Sequence, residues 1–414
     1  MAGSGEPSNA TLVATLAFSM GVMSLDQGSV GYLLPFIQPE LRLSNTEVGL
    51  IASIYWVAFA VASYVTGNIA DSRNDAKSYL VGALLAFGVG AIFSFFVRDL
   101  QTLMVARAMM GVIAGVIFTL GQSLLGMLSP PNRLSTNMGL VTAVGGSLSI
   151  LIIAPAVLVQ TASTFGWRAG YLALVLPALI AAGLIRRNIL SFGHNESGVI
   201  QKQGTGSRSL FREMVELFRH RNIVVCAVLS SLCVAYISLA FTFLPTYFVA
   251  ARRVSLSQMS AWMAVLGLSS ILFAASLPPI SDRVGRKPVL IVAFGSSILA
   301  PLAARYFDGP PPVLAVLLFL GWSMSGTGSF PMGIIPAETV QGKTLTRAVG
   351  LVIAIGVLFG GLAGPLIAGW CADRWGIGAP LLVQAACAAL ATLVAMALQE
   401  TAPRRGTAMA IPNA

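Results

Sequence analysis

Long apolar stretches alternate with short polar ones along almost the whole chain. Runs of spanning length fall at residues 11–36, 46–69, 78–97, 101–128, 135–160, 168–186, 222–249, 257–280, 288–306, 312–336, 347–370 and 379–398. A helix needs about 20 predominantly apolar residues to cross a bilayer, so the pattern predicts twelve membrane-spanning helices. The alternation breaks once, over 187–221, where His194, Asn195 and Glu196 precede a Gly-Thr-Gly-Ser turn and a charged segment, Leu210 to Arg221. In that segment Leu210, Met214, Leu217 and Phe218 recur at helical spacing opposite Arg212, Glu213, Glu216 and Arg219, the pattern of a short amphipathic helix on a membrane surface. The break divides the chain into a set of six spans at 1–186, a central loop at 187–221, and a second set of six with a tail at 222–414.

The first run is unlike the others, because Asp26 sits close to its middle. A charge at that depth costs roughly 3 kcal/mol or more, so it is seldom kept without a task. Ser19, Val22, Ser29 and Leu33 share its helical face and Gln27 adjoins it, which predicts a side turned to a cavity and not to lipid. The alternative is a structural Asp hydrogen-bonded to a neighbouring helix.

Composition sharpens the class. The 414 residues are 56% hydrophobic and 10% charged, where a soluble domain carries about 25% charged residues. A polytopic membrane protein follows. The net charge of +10 does not point to nucleic acid, since the basic residues sit in short loops and never interleave with aromatics. Instead they report topology. With the N-terminus placed in the cytoplasm, seventeen Lys and Arg fall inside, seven outside, and one, Arg107, within the fourth span, accounting for all 25. Both termini and the central loop are therefore expected in the cytoplasm, with the protein multi-pass in the inner (plasma) membrane. The polar first ten residues lack a signal-peptide pattern, so the first run is expected to be retained. Cys226, Cys233, Cys371 and Cys387 lack metal-ligand spacing and read as small buried hydrophobes, and both histidines, His194 and His220, fall in the central loop. No metal or other cofactor is expected.

The two halves repeat weakly: Asp71 and Asp282 each follow a second span of their half in a short basic turn, and Arg133 before Gly139 is echoed by Arg347 before Gly350. The stretch Pro278-Pro-Ile-Ser-Asp282-Arg283-Val-Gly285-Arg286-Lys287-Pro-Val-Leu290 resembles the loop signature of the major facilitator superfamily, with its opening Gly and following Leu replaced. A carboxylate at a helix end can pair with the arginines and cap a neighbouring helix, closing the inner face with bonds that break on opening. The first-half copy keeps Gly67, Ala70 and Asp71 with Arg73, but not the later Gly or the contiguous basic pair. Leu103 to Gly115, with Arg107 and Gly111, resembles the same superfamily's fourth-helix pattern, in which the intramembrane Arg is associated with proton coupling. Phe165-Gly-Trp-Arg168, Pro336-Ala-Glu338 leading to Gly350, Gly364-Pro365 and Ala372-Asp373-Arg374 add further matches. The resemblance implies an all-α membrane fold of two pseudo-symmetric six-helix bundles, each built from inverted three-helix repeats, with the substrate site between them. It also implies an inner gate drawn from Asp71, Arg73, Asp282, Arg283, Arg286 and Glu338.

Asp26 to Pro35 is similar to the first-helix spacing of organic-anion and aromatic-acid proton symporters, although Met23 stands where the aromatic-acid branch has an earlier acid. The fifth span lacks the glycine-proline pattern of drug/proton antiporters, so import is favoured. Asp26 lies about 15 Å, and Arg107 about 9 Å, below the outer ends of their helices at ~1.5 Å rise per residue, within reach of each other. Paired with Arg107, Asp26 stays ionised; a carboxylate that takes Arg107 releases Asp26 to bind a proton. A static pair that fixes helix packing is the alternative. Other cavity candidates are Gln27, Tyr32, Tyr55, Trp56, Gln122, Tyr236, Phe243, Tyr247, Trp262 and Trp322, each of which would otherwise serve packing or the interface belt. The expectation is proton-coupled uptake, by a monomer, of a small organic carboxylate, aromatic acids included. A proton-coupled exporter of drugs or amphipathic compounds is the competing transporter. An enzyme lacks any nucleophile and base set here, and a non-transporting receptor would bind without flux.

Overall fold

The computed structural model describes residues 9–70, 76–130, 133–189, 217–340 and 343–402. Asp71, Arg73, His194 and the amphipathic segment as far as residue 216 lie outside them. The described chain forms twelve long helices: α1 (Asn9–Leu41), α2 (Asn45–Ala70), α3 (Ala76–Phe95), α4 (Leu100–Leu128), α5 (Asn137–Phe165), α6 (Trp167–Asn188), α7 (Arg221–Ala251), α8 (Leu256–Val284), α9 (Arg286–Tyr306), α10 (Pro311–Thr339), α11 (Arg347–Trp375) and α12 (Ala379–Met396). Among the described residues, eleven are long and apolar enough to cross a membrane by length and composition. The twelfth, α1, is the longest at 33 residues, and its polar Asp26-Gln27 step dilutes an otherwise apolar sequence.

Packing repeats with an offset of six helices. In the first half α1 lies on α5 and α6, α2 on α4, and α3 on α6; in the second, α7 lies on α11 and α12, α8 on α10, and α9 on α12. The halves meet along α1 with α7, α2 with α11, and α5 with α8. Small residues permit this. A Cβ on Gly31 of α1 would collide with the Phe241 carbonyl of α7, so only glycine allows those two backbones to touch.

The second half carries a polar knot that the hydropathy pattern does not reveal. Helix α10 breaks at Gly321, and Ser323–Thr327 continues as a tight 3₁₀ turn. The break is satisfied from neighbouring helices, as buried backbone must be: the Met324 amide donates to Ser297 Oγ at 2.7 Å, and Ser323 Oγ donates to the Ala293 carbonyl at 2.7 Å. Tyr236 donates to the carbonyls of Ser297 and Gly321 at 2.9 and 3.1 Å, and Trp322 Nε1 donates to Ser270 Oγ at 2.9 Å.

Candidate transport site between the helix sets

Asp26 and Arg107 meet. Arg107 Nη1 lies 2.9 Å from Asp26 Oδ1, with the two side chains 2% and 0% exposed. Ser29, one turn along α1, donates to the Asp26 carbonyl at 2.7 Å and to Oδ1 at 3.2 Å, while Arg107 Nη2 reaches the same carbonyl at 3.4 Å. The guanidinium carbon stands 4.7 Å from the centre of the Tyr55 ring. A buried ion pair has to repay the desolvation of two charges, which it does through complete hydrogen bonding. This one is incomplete. Asp26 Oδ2 and Arg107 Nε are buried without a hydrogen-bond partner, as are the hydroxyls of Tyr32, Tyr55 and Tyr171. Tyr171, from α6, stands beside Ser29 and Arg107, its hydroxyl close to both but short of a well-formed hydrogen bond to either. The sequence reading missed it, although Trp167 and Arg168 at the start of the same helix had drawn notice.

Arg107 also lines a cleft of about 20 Å³ between the halves, with Gln27, Val30 and Gly31 of α1, Ala52, Tyr55 and Trp56 of α2, and Ser238, Phe241 and Thr242 of α7. That volume admits about one water molecule. Four of the sequence candidates, Arg107, Gln27, Tyr55 and Trp56, are therefore together. The others are elsewhere. Tyr32 lies over Gly28 of its own helix beside Ile150 of α5. Gln122 is on α4 but fifteen residues from Arg107, about 22 Å along the helix. Tyr236 and Trp322 are spent on the α10 break, their rings 5.1 Å apart. Phe243 is buried in the core, Trp262 packs on Phe248 at 4.8 Å, and Tyr247 donates to the Arg305 carbonyl at 3.4 Å. Each was a sound helical-face candidate, but a face of α7, α8 or α10 also has neighbours within its own half. Ser238, Phe241 and Thr242 line the cleft instead.

Three of the six expected inner-gate residues, Asp282, Arg286 and Glu338, form a network inside the second half. Arg286 pairs with Asp282 at 2.6 Å and Glu338 at 2.8 Å, and also donates to Ser281 Oγ. Thr401 Oγ1 donates to Glu338 at 2.5 Å. The cap on α9 is supplied by Glu400, which the sequence reading did not single out: its carboxylate accepts from the Arg286 and Lys287 amides at 2.8 and 3.1 Å. Burial would raise the Glu400 pKa, but backbone donors from Ala402, Arg286, Lys287 and Thr401 outweigh it and hold the carboxyl below its ordinary range. Asp282 is 58% exposed, and Arg283 is exposed.

Two six-helix sets of matching internal packing, with the arginine of a buried charged pair reaching the cleft between them, define a transporter of the two-bundle class. The family model described as the Major Facilitator Superfamily matches residues 16–335 and 252–410, so the chain belongs to that superfamily. It is 23% identical over 341 residues to a probable 4-methylmuconolactone transporter of Cupriavidus pinatubonensis (strain JMP 134 / LMG 1197), covering 81% of this chain and 78% of that protein. It is 23% identical over 386 residues to the hexuronate transporter of Bacillus subtilis (strain 168), covering 88% of each. The crystal structure of the nucleoside transporter NupG superposes with a TM-score of 0.71 at 17% identity, covering 93% of this chain and 98% of that one. The protein is accordingly a multi-pass membrane transporter and not an enzyme.

Proposed function

We propose that this transporter couples the inward movement of a small organic carboxylate to a proton by alternating access, with Arg107 holding the carboxylate and Asp26 the proton. The observation that carries the reading is the bonding of the pair: Arg107 presents one side to the cleft and the other to Asp26, and each partner keeps a buried polar atom unused. Buried polar atoms without partners cost about 1–3 kcal/mol each, so the arrangement favours groups that arrive later. Charge balance supports the coupling. The empty pair is neutral; adding a carboxylate alone leaves a net negative charge in a low-dielectric seam, and adding a proton to Asp26 with it restores neutrality. Tyr55 and Trp56 suit a planar or amphipathic cargo at the same cleft. A relative named for hexuronate, a carboxylate, fits that class.

The inner gate in this reading is Arg286 with Asp282, Arg283 and Glu338, together with Asp71 and Arg73 of the first half. The distribution of Lys and Arg supports an orientation with both termini in the cytoplasm, and the reading takes the protein to act as a monomer in the inner membrane. Asp26→Asn in proteoliposomes tests the coupling. Substrate accumulation driven by a pH gradient is expected to disappear while counterflow exchange survives. Asp26→Asn vesicles that still concentrate substrate under the gradient overturn the role of Asp26, and drug extrusion without carboxylate uptake replaces import with export.

A further inference from the structure

The seam between α2 and α11 is built as a ladder of small residues that ends in a carboxylate. On α11, Gly361, Pro365, Gly369 and Asp373 recur every fourth residue; on α2, Asn45, Gly49, Ser53 and Trp56 form the facing row. A Cβ on Gly49 would collide with the Pro365 carbonyl, and one on Gly369 with the Asn45 carbonyl. Ser53 Oγ donates to the Leu362 carbonyl at 2.8 Å. At the end of the row Asp373 accepts four bonds from the first turn of α2: from the Asn45 amide at 2.8 Å, Asn45 Nδ2 at 2.9 Å, the Thr46 amide at 2.8 Å and Thr46 Oγ1 at 2.5 Å.

The first turn of a helix has free amides that need acceptors. Ser44 and Glu47 form a local capping box, in which the Glu47 amide donates to Ser44 Oγ at 3.2 Å and the Ser44 amide to Glu47 Oε2 at 2.7 Å. The two remaining early amides, Asn45 and Thr46, are left to Asp373 from the other half of the molecule. The neighbouring Arg374 lies over the Trp370 ring, 4.6 Å from its centre.

We infer that Asp373 is a working residue of the transport cycle, latching α11 to the amino end of α2 and holding closed the end of the pathway that the chain's basic residues place outside. The latch is released when the halves part. Its site is exposed, so water replaces the lost bonds and the latch biases a gate without welding it. Among the described residues, the ion-pair network around Arg286 and Glu338, at the opposite end, stays within one half and makes no such bridge. This inference rests on the alternating-access reading above, though not on the cargo or the proton.

Paired spin labels report it directly. With the native cysteines replaced by Ala, labels at Gln101 and Pro312 follow the Asp373 end, and labels at Met127 and Val284 follow the opposite end. Asp373→Ala is expected to raise the population with the Gln101–Pro312 distance lengthened about five- to tenfold, and the milder Asp373→Asn about two- to threefold, in line with the loss of an exposed cap. Ser44→Ala, which removes only the local box, lowers thermal stability without that shift. An unchanged distance distribution in both Asp373 variants overturns the latch, as does an equal shift in Ser44→Ala. A lengthened outer distance with an unmoved Met127–Val284 distance supports the latch and overturns reciprocal access.

Discussion

Arg107 in the first half and Arg286 in the second are both buried guanidiniums facing carboxylates, yet their surroundings differ. Arg286 donates through Nε, Nη1 and Nη2, to Glu338, Asp282, Ser281 and the Pro278 carbonyl. Arg107 has the deeper site and fewer bonds, with Nε unused and its partner's Oδ2 unused beside it. Saturation marks a joint that is at rest in this conformation, with no bonding left for an arriving ligand to supply. Incomplete bonding at depth marks a place where an arriving group improves the energy.

Breaking the deeper pair sharpens that contrast most. Arg107→Ala strands a buried Asp26 carboxylate and is expected to cost about 3–5 kcal/mol of stability along with transport. Arg107→Ala combined with Asp26→Asn is expected to recover most of the stability but none of the accumulation, as read from unfolding in detergent and flux in vesicles. At the saturated site, Glu400→Gln should cost about 1 kcal/mol, in the range of a helix cap. Because the folded Glu400 pKa is lowered, its contribution is fully present above the ordinary carboxylate pKa of roughly 4.3 and is lost as pH falls through the folded value. The melting gap between wild type and Glu400→Gln should thus be flat above about pH 5 and close below about pH 4. The smallest effect is expected at Tyr171. Removing a hydroxyl that makes no well-formed bond in Tyr171→Phe should change stability by no more than about 0.5 kcal/mol, where Tyr236→Phe, which orphans two bonded carbonyls, costs about 1–2 kcal/mol. A large loss in Tyr171→Phe would show that its hydroxyl has a structural partner after all.

The twelve spans were legible because each is a local statement: a long apolar run needs nothing beyond its own sequence to be recognised as a membrane helix. Asp26 and Arg107 were legible for a related reason, since a charge stands out against an apolar run. Their depths along α1 and α4 also placed them within reach, and the 2.9 Å contact agrees. The aromatic candidates were harder. A Tyr or Trp on a membrane helix looks the same facing a cleft, a neighbour or lipid, and Tyr236 and Trp322 went to the polar knot at the α10 break. Nothing in the spacing of Ser270, Ser297 and Ser323 announces that knot.

Residue order alone therefore specified a membrane protein of twelve helices, its superfamily resemblance, and one acid and one base too costly to bury idly, because hydropathy and charge are properties of short stretches. Three-dimensional packing settled which side chains share the seam, that Tyr171 stands behind the pair, that Glu400 caps α9 and that Asp373 caps α2. Those contacts join residues up to 328 positions apart, and only the way helices lie on one another brings such groups within bonding distance.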